Sequence, residues 1–272
     1  MTTQQEVSSL LTRLSNAAVY DLEQPRYAGA PIFAAHRPGF VYGLHRRHEP
    51  GLGEARTSAS GLIVTAEHSG THIDALCHQA VNQMMFGGIR ADATVQTSTG
   101  FTQLGVETIG PIMARGVLID VARHRGVDRL PAGEVVTAED LEDATAAQGV
   151  SLNAGDVVLV RTGNGSQWHD PGEYLQGAGM SAAASEWLAS REITVAGADN
   201  VAWDSPAISE PEVGSLPGHL VLIVRHGIYI IENVMLEELA ASEHREFLFI
   251  CLPLKMVGVT GSPVRPLAVV PT

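Results

Sequence analysis

The 272-residue sequence contains very little lysine and cysteine. Lys255 is the only lysine, and no glycine-rich loop precedes it, which excludes a Walker-type phosphate site and leaves little room for Schiff-base chemistry. Cys77 and Cys251 provide neither a disulfide framework nor a cysteine-rich zinc site. No apolar run reaches the ~18 residues of a membrane span, and the polar N-terminus lacks an apolar signal core. We therefore expect a soluble, cytoplasmic protein.

Positive charge is also scarce. The chain carries 17 Lys+Arg against 30 Asp+Glu, a formal net charge of −13. Such an excess of negative charge disfavours nucleic acid and anionic membranes as partners. The hydrophobic fraction of 45% and the charged fraction of 17% are typical of a globular protein. Because no repeat, low-complexity segment or linker divides the chain, we expect residues 1–272 to form one domain.

Short apolar runs alternate along the chain with segments that carry helix signals. The runs that predict strands are Gly61–Glu67, Gly116–Val121, Asp156–Arg161, Ile193–Gly197, Ile228–Ile231 and the long apolar segment Glu246–Met256. The segments that predict helices are Ser9–Asn16, Thr137–Gln148, Ser181–Ser190 and His219–His226. Thr137 and Asp140 have the spacing of a capping box, and Gly149 is a stop signal. This alternation predicts an α/β fold.

The densest polar cluster lies just after the first predicted strand. His68, His72, Asp74 and His78 fall within eleven residues, at offsets of four, two and four. On a strand these even offsets place all four side chains on one face, but a straight strand would separate His68 from His72 by about 13 Å. A bend is therefore required before His68 and His72 can bind the same ion, and Gly70 is free to make it.

Three histidines and an aspartate on one bent segment favour metal binding over isolated structural histidines. Imidazole and carboxylate ligands together suit Zn²⁺, Mn²⁺ or Fe²⁺. Position 69 is serine, so the general base of a His-Glu-x-x-His metalloprotease is missing. The sequence also contains no Gly-x-Ser-x-Gly nucleophile elbow, which argues against a serine hydrolase.

The pattern His68-x-Gly-Thr-His72-x-Asp74-x-x-x-His78 resembles the signature of the cyclase family of metal-dependent hydrolases, which includes kynurenine formamidase and isatin hydrolase. The similarity continues through His219, the stretch ending in Glu232-Asn233, and residues 253–267, so that it spans about Tyr20 to Val269. It implies the family's swivelling β/β/α fold, a mixed sheet flanked by helices. One departure is Leu76, where many relatives have proline; this change bears on the shape of the pocket.

The resemblance also implies roles for individual residues. The first metal ion would be bound by His68, His72 and Asp74, and a second by His219 and Glu232, with Asp74 able to bridge them. His78 would shuttle protons, with a further metal ligand as its alternative role. His226 competes with His219 as a ligand, but we interpret it as a partner of the helix C-terminus. Weaker candidates for the substrate pocket are Trp168, Ser262 and Arg265.

The implied activity is metal-dependent hydrolysis of a C–N amide bond in a small substrate, with one or two divalent ions, Zn or Mn, as the cofactor. The alternatives are a metal-dependent lactonase or cyclase and, in a different class, a non-catalytic metal-dependent binder of small molecules. The family resemblance further implies a homo-oligomer, most simply a dimer.

Overall fold

A computed structural model describes residues 4–51, 55–210 and 214–271. In chain order, the strands are β1 (Ala18–Asp21), β2 (Val41–Arg46), β3 (Ser60–Val64), β4 (His72–Asp74), β5 (Gln96–Thr97), β6 (Gly100–Phe101), β7 (Ile112–Asp120), β8 (Val135–Val136), β9 (Val157–Arg161), β10 (Gly179–Met180), β11 (Val195–Ala198), β12 (Ser209–Glu210), β13 (Gly214–Ser215), β14 (Tyr229–Glu232), β15 (Glu246–Cys251), β16 (Gly261–Pro263) and β17 (Leu267–Val270).

The described residues form fewer helices than strands. The helices are α1 (Gln4–Ser15), α2 (Val121–His124), α3 (Ala138–Gln148), α4 (Pro171–Tyr174), α5 (Ala182–Ala189), α6 (Pro217–His219) and α7 (Glu237–Ala241). The chain continues from α6 directly into a π-helical segment, Leu220–His226. Short 3₁₀ turns cover Ala34–His36, Phe86–Gly88, Val106–Thr108 and Asn164–Gln167.

A nine-stranded mixed sheet forms the centre of the described structure, in the order β1-β17-β15-β7-β9-β11-β14-β4-β16. The four neighbours β7, β9, β11 and β14 are parallel, whereas the strands outside them pair antiparallel. Parallel strands end at one edge of a sheet, where α/β proteins commonly place their binding sites. The antiparallel strand β4 begins at that edge, beside the end of β14.

Both faces of the central strands are buried, each in its own hydrophobic core. Successive residues of β7 and β14 belong to different cores: Leu118 and Ile231 to one, Ile119 and Ile230 to the other. The second core also contains apolar side chains from α3, α5 and the π-helical segment, which cover that face of the sheet. Continuous apolar runs such as Val157–Val160 are typical of strands that are buried on both faces.

The local helix signals are confirmed. Thr137 caps α3 in a capping box with Asp140, and Gly149 ends the helix in the left-handed conformation. Ser181 accepts a hydrogen bond from the Ala184 amide and starts α5. These patterns depend only on residues within one helical turn, which explains why the sequence predicts them well.

Several predicted elements differ in detail from the structure. The predicted strand Glu246–Met256 ends at Cys251. The predicted helix His219–His226 begins at Pro217 and has π-helical bonding over most of its length. The predicted strand Gly61–Glu67 ends at Val64 and pairs only with β2, outside the central sheet. The first helix is longer than predicted and buries none of its side chains. Among the described residues, no helix combines the length and apolar character needed to cross a membrane.

Arg161, at the end of β9, gives a test of the packing between the sheet and its connections. Its guanidinium donates to Asp120 Oδ1 at 2.9 Å and to Glu237 Oε2 at 2.6 Å, and Asp120 is buried. Removing one partner of a buried ion pair leaves the other charge uncompensated. We expect Arg161→Met to lower the free energy of unfolding by about 3–5 kcal/mol in chemical denaturation.

Arg225 is the matched control, because it forms an ion pair with Glu186 at 2.8 Å in which both side chains are about half exposed. Arg225→Met is expected to cost less than about 1 kcal/mol. Equal losses in the two variants would show that the Arg161 cluster makes no special contribution.

Candidate functional site

The candidate site lies where β14 ends and β4 begins. The antiparallel register places Glu232 opposite His72, and Ile231 opposite Ile73. Since side chains alternate along a strand, His72, Asp74 and Glu232 share one face of the sheet. Ile73 points to the other face and is fully buried in the first core. The burial of this isoleucine therefore fixes the orientation of the two polar residues that flank it.

Gly70 makes the bend that the sequence predicts between His68 and His72. Its φ is +61°, in the left-handed region that side chains disfavour. The Asn233 side-chain amide donates to the Gly70 carbonyl at 2.9 Å, and the Arg26 guanidinium donates to the carbonyls on either side of Gly70. The bend thus depends on hydrogen bonds from distant parts of the chain.

Two histidines are oriented by hydrogen bonds at their outer nitrogens. His72 Nδ1 lies 2.7 Å from the Gly70 carbonyl oxygen, and His219 Nδ1 lies 2.7 Å from Asp204 Oδ2. Asp204 also accepts the backbone amides of Gly218 and His219, at the start of α6. When Nδ1 donates outward, the lone pair of Nε2 is directed into the site, as in histidines that bind metals.

His68 is oriented in the opposite sense. Its Nε2 lies 2.8 Å from Thr260 Oγ1, and Thr260 in turn donates to the Glu67 carboxylate. Its Nδ1 is left facing Asp74 Oδ1 at 2.8 Å. The ring lies against Gly261 of β16, where an added Cβ would come within 2.6 Å of His68 Cε1. Only glycine at this position leaves room for the imidazole.

The inward-facing atoms form a compact, buried cluster around Asp74. His72 Nε2 lies 3.6 Å from Asp74 Oδ1 and 3.4 Å from Glu232 Oε2. His219 Nε2 lies 3.7 Å from Asp74 Oδ2 and 3.1 Å from Glu232 Oε1. All four residues are at least 95% buried. Such a concentration of polar groups in the interior is costly unless it is compensated, and it is typical of functional sites.

Two sets of donor atoms have the spacing of a metal site. The ligand atoms of His68, Asp74 and His78 lie within 4.8 Å of one another, and so do those of His72, Asp74 and Glu232. Both oxygens of Asp74 and Nδ1 of His68 are buried without a well-aligned hydrogen bond from the described residues, although Nδ1 lies only 2.8 Å from Oδ1. A cation would satisfy these atoms, and an imidazole and carboxylate donor set suits Zn²⁺ or Mn²⁺. The residues therefore fit a divalent metal, with Asp74 common to both sets.

Burial and hydrogen bonding shift the pKa values of these groups in different directions. Burial lowers the pKa of His72 and of His78 to about 3, which keeps both imidazoles neutral near pH 7. It raises the pKa of Glu232 to about 7. Burial also opposes ionisation of Asp74, but the neighbouring His78 and His68 outweigh it and hold the Asp74 pKa well below its usual range. For His68 and His219, burial is outweighed by hydrogen bonds to carboxylates, so their pKa values are raised. The cluster thus offers the neutral lone pairs of His72 and His78 beside an ionised carboxylate.

The cluster opens into a cavity of about 200 Å³. Its walls outside the polar cluster are His36, Gln79 and apolar residues: Phe33, Ala35, Val201, Ala202 and Leu216. A second cavity of about 220 Å³ shares Phe33, Val201, Ala202 and Leu216 with the first and is lined mostly by apolar groups. The polar cluster therefore lies at one end of a larger, mainly apolar space.

Sequence reasoning missed three residues of the site. His36 has its ring centroid 4.7 Å from that of His68, although no motif surrounds it in the sequence. Asp204 and Thr260 orient His219 and His68 but lie 15 and 192 residues from them along the chain. No local pattern indicates such contacts, because only the fold brings these residues together.

The three weaker pocket candidates do not line either cavity. Trp168 is a core residue whose indole donates to the Pro25 carbonyl at 2.8 Å. Ser262 pairs with Ile73 and so lies on the face of β16 away from the site. Arg265 is exposed and forms an ion pair with Asp21. The interpretation of these residues as substrate contacts is corrected accordingly.

His226 is located as expected: it is exposed at the end of the π-helical segment, with Nε2 3.2 Å from Glu186, and it lies outside the polar cluster. Leu76, which was expected to affect the shape of the pocket, packs into the second core and lines neither cavity.

Comparison with known proteins gives consistent matches. The kynurenine formamidase of Paracidovorax citrulli is 26% identical over 247 residues, which cover 91% of this chain and 94% of that protein. The isatin hydrolase of Roseibium aggregatum is 26% identical over 216 residues, which cover 77% of this chain and 74% of that protein. A crystal structure described as a novel cyclase matches with a TM-score of 0.84 at 27% identity, over 98% of this chain and 91% of that one.

The sequence model of a family described as putative cyclase matches residues 20–205, more than half of the chain. The mixed sheet flanked by helices is also the fold of the novel cyclase, so both the predicted fold class and the family resemblance are confirmed. The chain belongs to the putative cyclase family.

Proposed function

We propose that the protein is a metal-dependent hydrolase that cleaves a C–N amide bond of a small substrate. The observation that carries this proposal is the buried cluster in which His72 and His219 direct Nε2 inward around the buried oxygens of Asp74. The matches to a kynurenine formamidase and an isatin hydrolase support it, since both names describe hydrolases.

We propose that His68, His72 and Asp74 would hold one metal ion and that His219 and Glu232 would hold a second one that shares Asp74. The structure also groups His78 with His68, and Glu232 with His72, around Asp74. Zn and Mn are the favoured metals for this donor set. When bound, a divalent metal supplies Lewis-acid polarisation of a carbonyl and lowers the pKa of water. The outward hydrogen bonds of His72, His219 and His68 keep the ligands in place before a substrate arrives.

The apolar walls of the joined cavities suit a substrate with an aryl or other apolar group. Phe33, Val201 and Leu216 line both cavities, so they would hold this group beside the polar cluster and exclude water around it. The substrate carbonyl would then point toward Asp74 and its neighbours. By binding the apolar group, these wall residues would place the amide beside the polar cluster, although they would not contact the scissile bond themselves.

His78 is proposed to transfer the proton to the leaving nitrogen. It lines the first cavity, and its ring centroid lies 4.0 Å from that of His68 and 6.3 Å from that of His219. His78 lies in the cavity wall beside the ligands, so it is placed to take a proton from the attacking water and to pass it to the nitrogen. We also propose a single catalytic domain, a cytoplasmic location and a dimer.

The metal assignment is tested by His72→Ala. We expect the purified wild-type protein to contain Zn or Mn by elemental analysis, and His72→Ala to lose it, because His72 Nε2 faces both carboxylates. The matched control is His226→Ala, which removes an exposed imidazole outside the cluster and should leave the metal content unchanged. Metal retained in full by His72→Ala would refute the assignment.

The reaction class is tested by chelation and by His78→Ala. Chelation should abolish hydrolysis of an N-formyl arylamine or a cyclic imide. His78→Ala should keep its metal, reduce kcat roughly 10²–10⁴-fold, and change KM far less. Steady-state kinetics and metal content measured on the same preparations give both values, with His226→Ala again as the control.

Different results separate the alternatives. Loss of metal in His78→Ala would make His78 a ligand instead of a proton carrier. If the protein hydrolysed lactones in preference to amides, the lactonase alternative would replace the proposed amide hydrolase, with the same site acting on an ester bond. Metal-loaded protein that turns over no amide, imide or lactone would contradict the hydrolase proposal and favour a binding protein.

A further inference from the structure

Asn233 directly follows the proposed ligand Glu232 at the end of β14. Its backbone φ is +56°, in the left-handed region that asparagine adopts more readily than most residues with side chains. Its backbone amide donates to the Asn200 carbonyl at 2.9 Å, and its carbonyl accepts the Thr71 hydroxyl at 2.6 Å. The residue is buried. These backbone hydrogen bonds fix the place from which the Asn233 side chain extends.

The side-chain amide of Asn233 joins two other buried groups. Its Nδ2 donates to the Gly70 carbonyl at 2.9 Å, and its Oδ1 accepts the Tyr174 hydroxyl at 2.9 Å. A backbone carbonyl can only accept a hydrogen bond, so Nδ2 must face Gly70 and Oδ1 must face Tyr174. The Tyr174 hydroxyl is therefore the donor, and it prevents the amide from turning over.

The Gly70 carbonyl also accepts a hydrogen bond from the proposed ligand His72. His72 Nδ1 lies 2.7 Å from this oxygen, so both of its acceptor positions are used by side chains. If the carbonyl of Gly70 turned away, His72 would lose the bond that orients its imidazole. The bond from Asn233 opposes this movement. Asn233 thus connects the end of β14, which carries Glu232, with the bend that precedes β4.

Tyr174 belongs to the wall of the second cavity as well as to this hydrogen-bond network. It lies on α4, and it lines the mainly apolar cavity in which the proposed substrate would place its apolar group. Asn233 lines neither cavity. An effect of Asn233 on the reaction must therefore pass through the residues that it holds, whereas the Tyr174 ring also shapes the space for the substrate.

We propose that Asn233 and Tyr174 are positioning residues of the metal site. Asn233 keeps His72 and Glu232 in place relative to each other, and the Tyr174 hydroxyl keeps the Asn233 amide turned toward Gly70. This inference rests on the proposed function, because it takes the polar cluster to bind a metal ion. Loss of a hydrogen bond at the outer side of a ligand typically weakens metal binding 10–100-fold.

The test measures metal binding by the intact chain and two variants. Asn233→Gly removes the side chain at a left-handed position that glycine adopts without strain, and Tyr174→Phe removes the hydroxyl but keeps the ring. Competition with a chromogenic chelator should show the Zn²⁺ dissociation constant raised about 100-fold in Asn233→Gly and about 10-fold in Tyr174→Phe. The absorption spectrum of the Co²⁺-loaded protein should change in Asn233→Gly, because the ligands are less firmly oriented.

Two further variants separate positioning from a general loss of stability. Tyr229→Phe is the matched control: this tyrosine lies in β14 itself, and its hydroxyl has no hydrogen bond among the described residues. It should bind Zn²⁺ as the wild type does. The double variant Tyr174→Phe with Asn233→Gly should bind Zn²⁺ no more weakly than Asn233→Gly alone, because Tyr174 acts through Asn233. In steady-state kinetics at saturating metal, Asn233→Gly should lower kcat and leave KM within about twofold of the wild type.

The outcomes distinguish this inference from the proposed function. Variants that unfold more readily but keep the wild-type dissociation constant and Co²⁺ spectrum would overturn the positioning role. Additive losses in the double variant would overturn the action of Tyr174 through Asn233. If Asn233→Gly does not fold, Tyr174→Phe decides alone, and an unchanged dissociation constant refutes the inference. A wild-type protein that binds neither Zn²⁺ nor Co²⁺ would overturn the proposed function, and this inference with it. A wild-type protein that binds metal without hydrolysing any substrate would contradict only the proposed reaction, since the dissociation constants still test the network.

Discussion

The antiparallel register between β4 and β14 is the constraint on which the candidate site depends. It sets His72 beside Glu232 and leaves Asp74 on the same face, between the two sets of ligand atoms. A shift of one residue would turn both β4 side chains to the opposite face. That shift is blocked because Ile73, between them, is fully buried in the first core. The hydrophobic effect at one isoleucine thus positions polar groups that would otherwise avoid the interior.

Burial of the polar cluster lowers the stability of the folded state, and hydrophobic burial elsewhere in the fold offsets this cost. Buried carboxylates and imidazoles lose solvation that their mutual contacts replace only in part, since neither oxygen of Asp74 accepts a well-aligned hydrogen bond from the described residues. The two hydrophobic cores on either face of the central strands supply the compensating burial. Binding of a cation would stabilise the folded state further, since a ligand that binds only the native state raises the free energy of unfolding.

The predictable part of this protein is the part determined by near neighbours in sequence. The capping box at Thr137 and the stop at Gly149 each follow from a few adjacent residues, whereas Gly70 only indicates a bend that Arg26 and Asn233 hold from a distance. By contrast, the roles of Asp204 and Thr260 depend on contacts that only the folded sheet creates. The pocket candidates that failed illustrate the same limit from the other side. Trp168, Ser262 and Arg265 were chosen by position and resemblance, whereas alternation along β16 and packing in the core determine where their side chains lie.

The acidic ligands and the cavity walls lie in different parts of the fold, which explains why the chemistry of the site is easier to infer than its substrate. Asp74 and Glu232 lie on strands of the central sheet, whose pairing leaves them little freedom. Phe33, Val201 and Leu216, which line both cavities, lie instead in connections between elements. Connections tolerate changes in length and sequence far better than paired strands do. The walls of this cavity are therefore freer to change than the carboxylates on its strands. A family motif therefore indicates how the bond is activated. Substrate specificity depends on the shape and polarity of the cavity walls, which lie outside the motif.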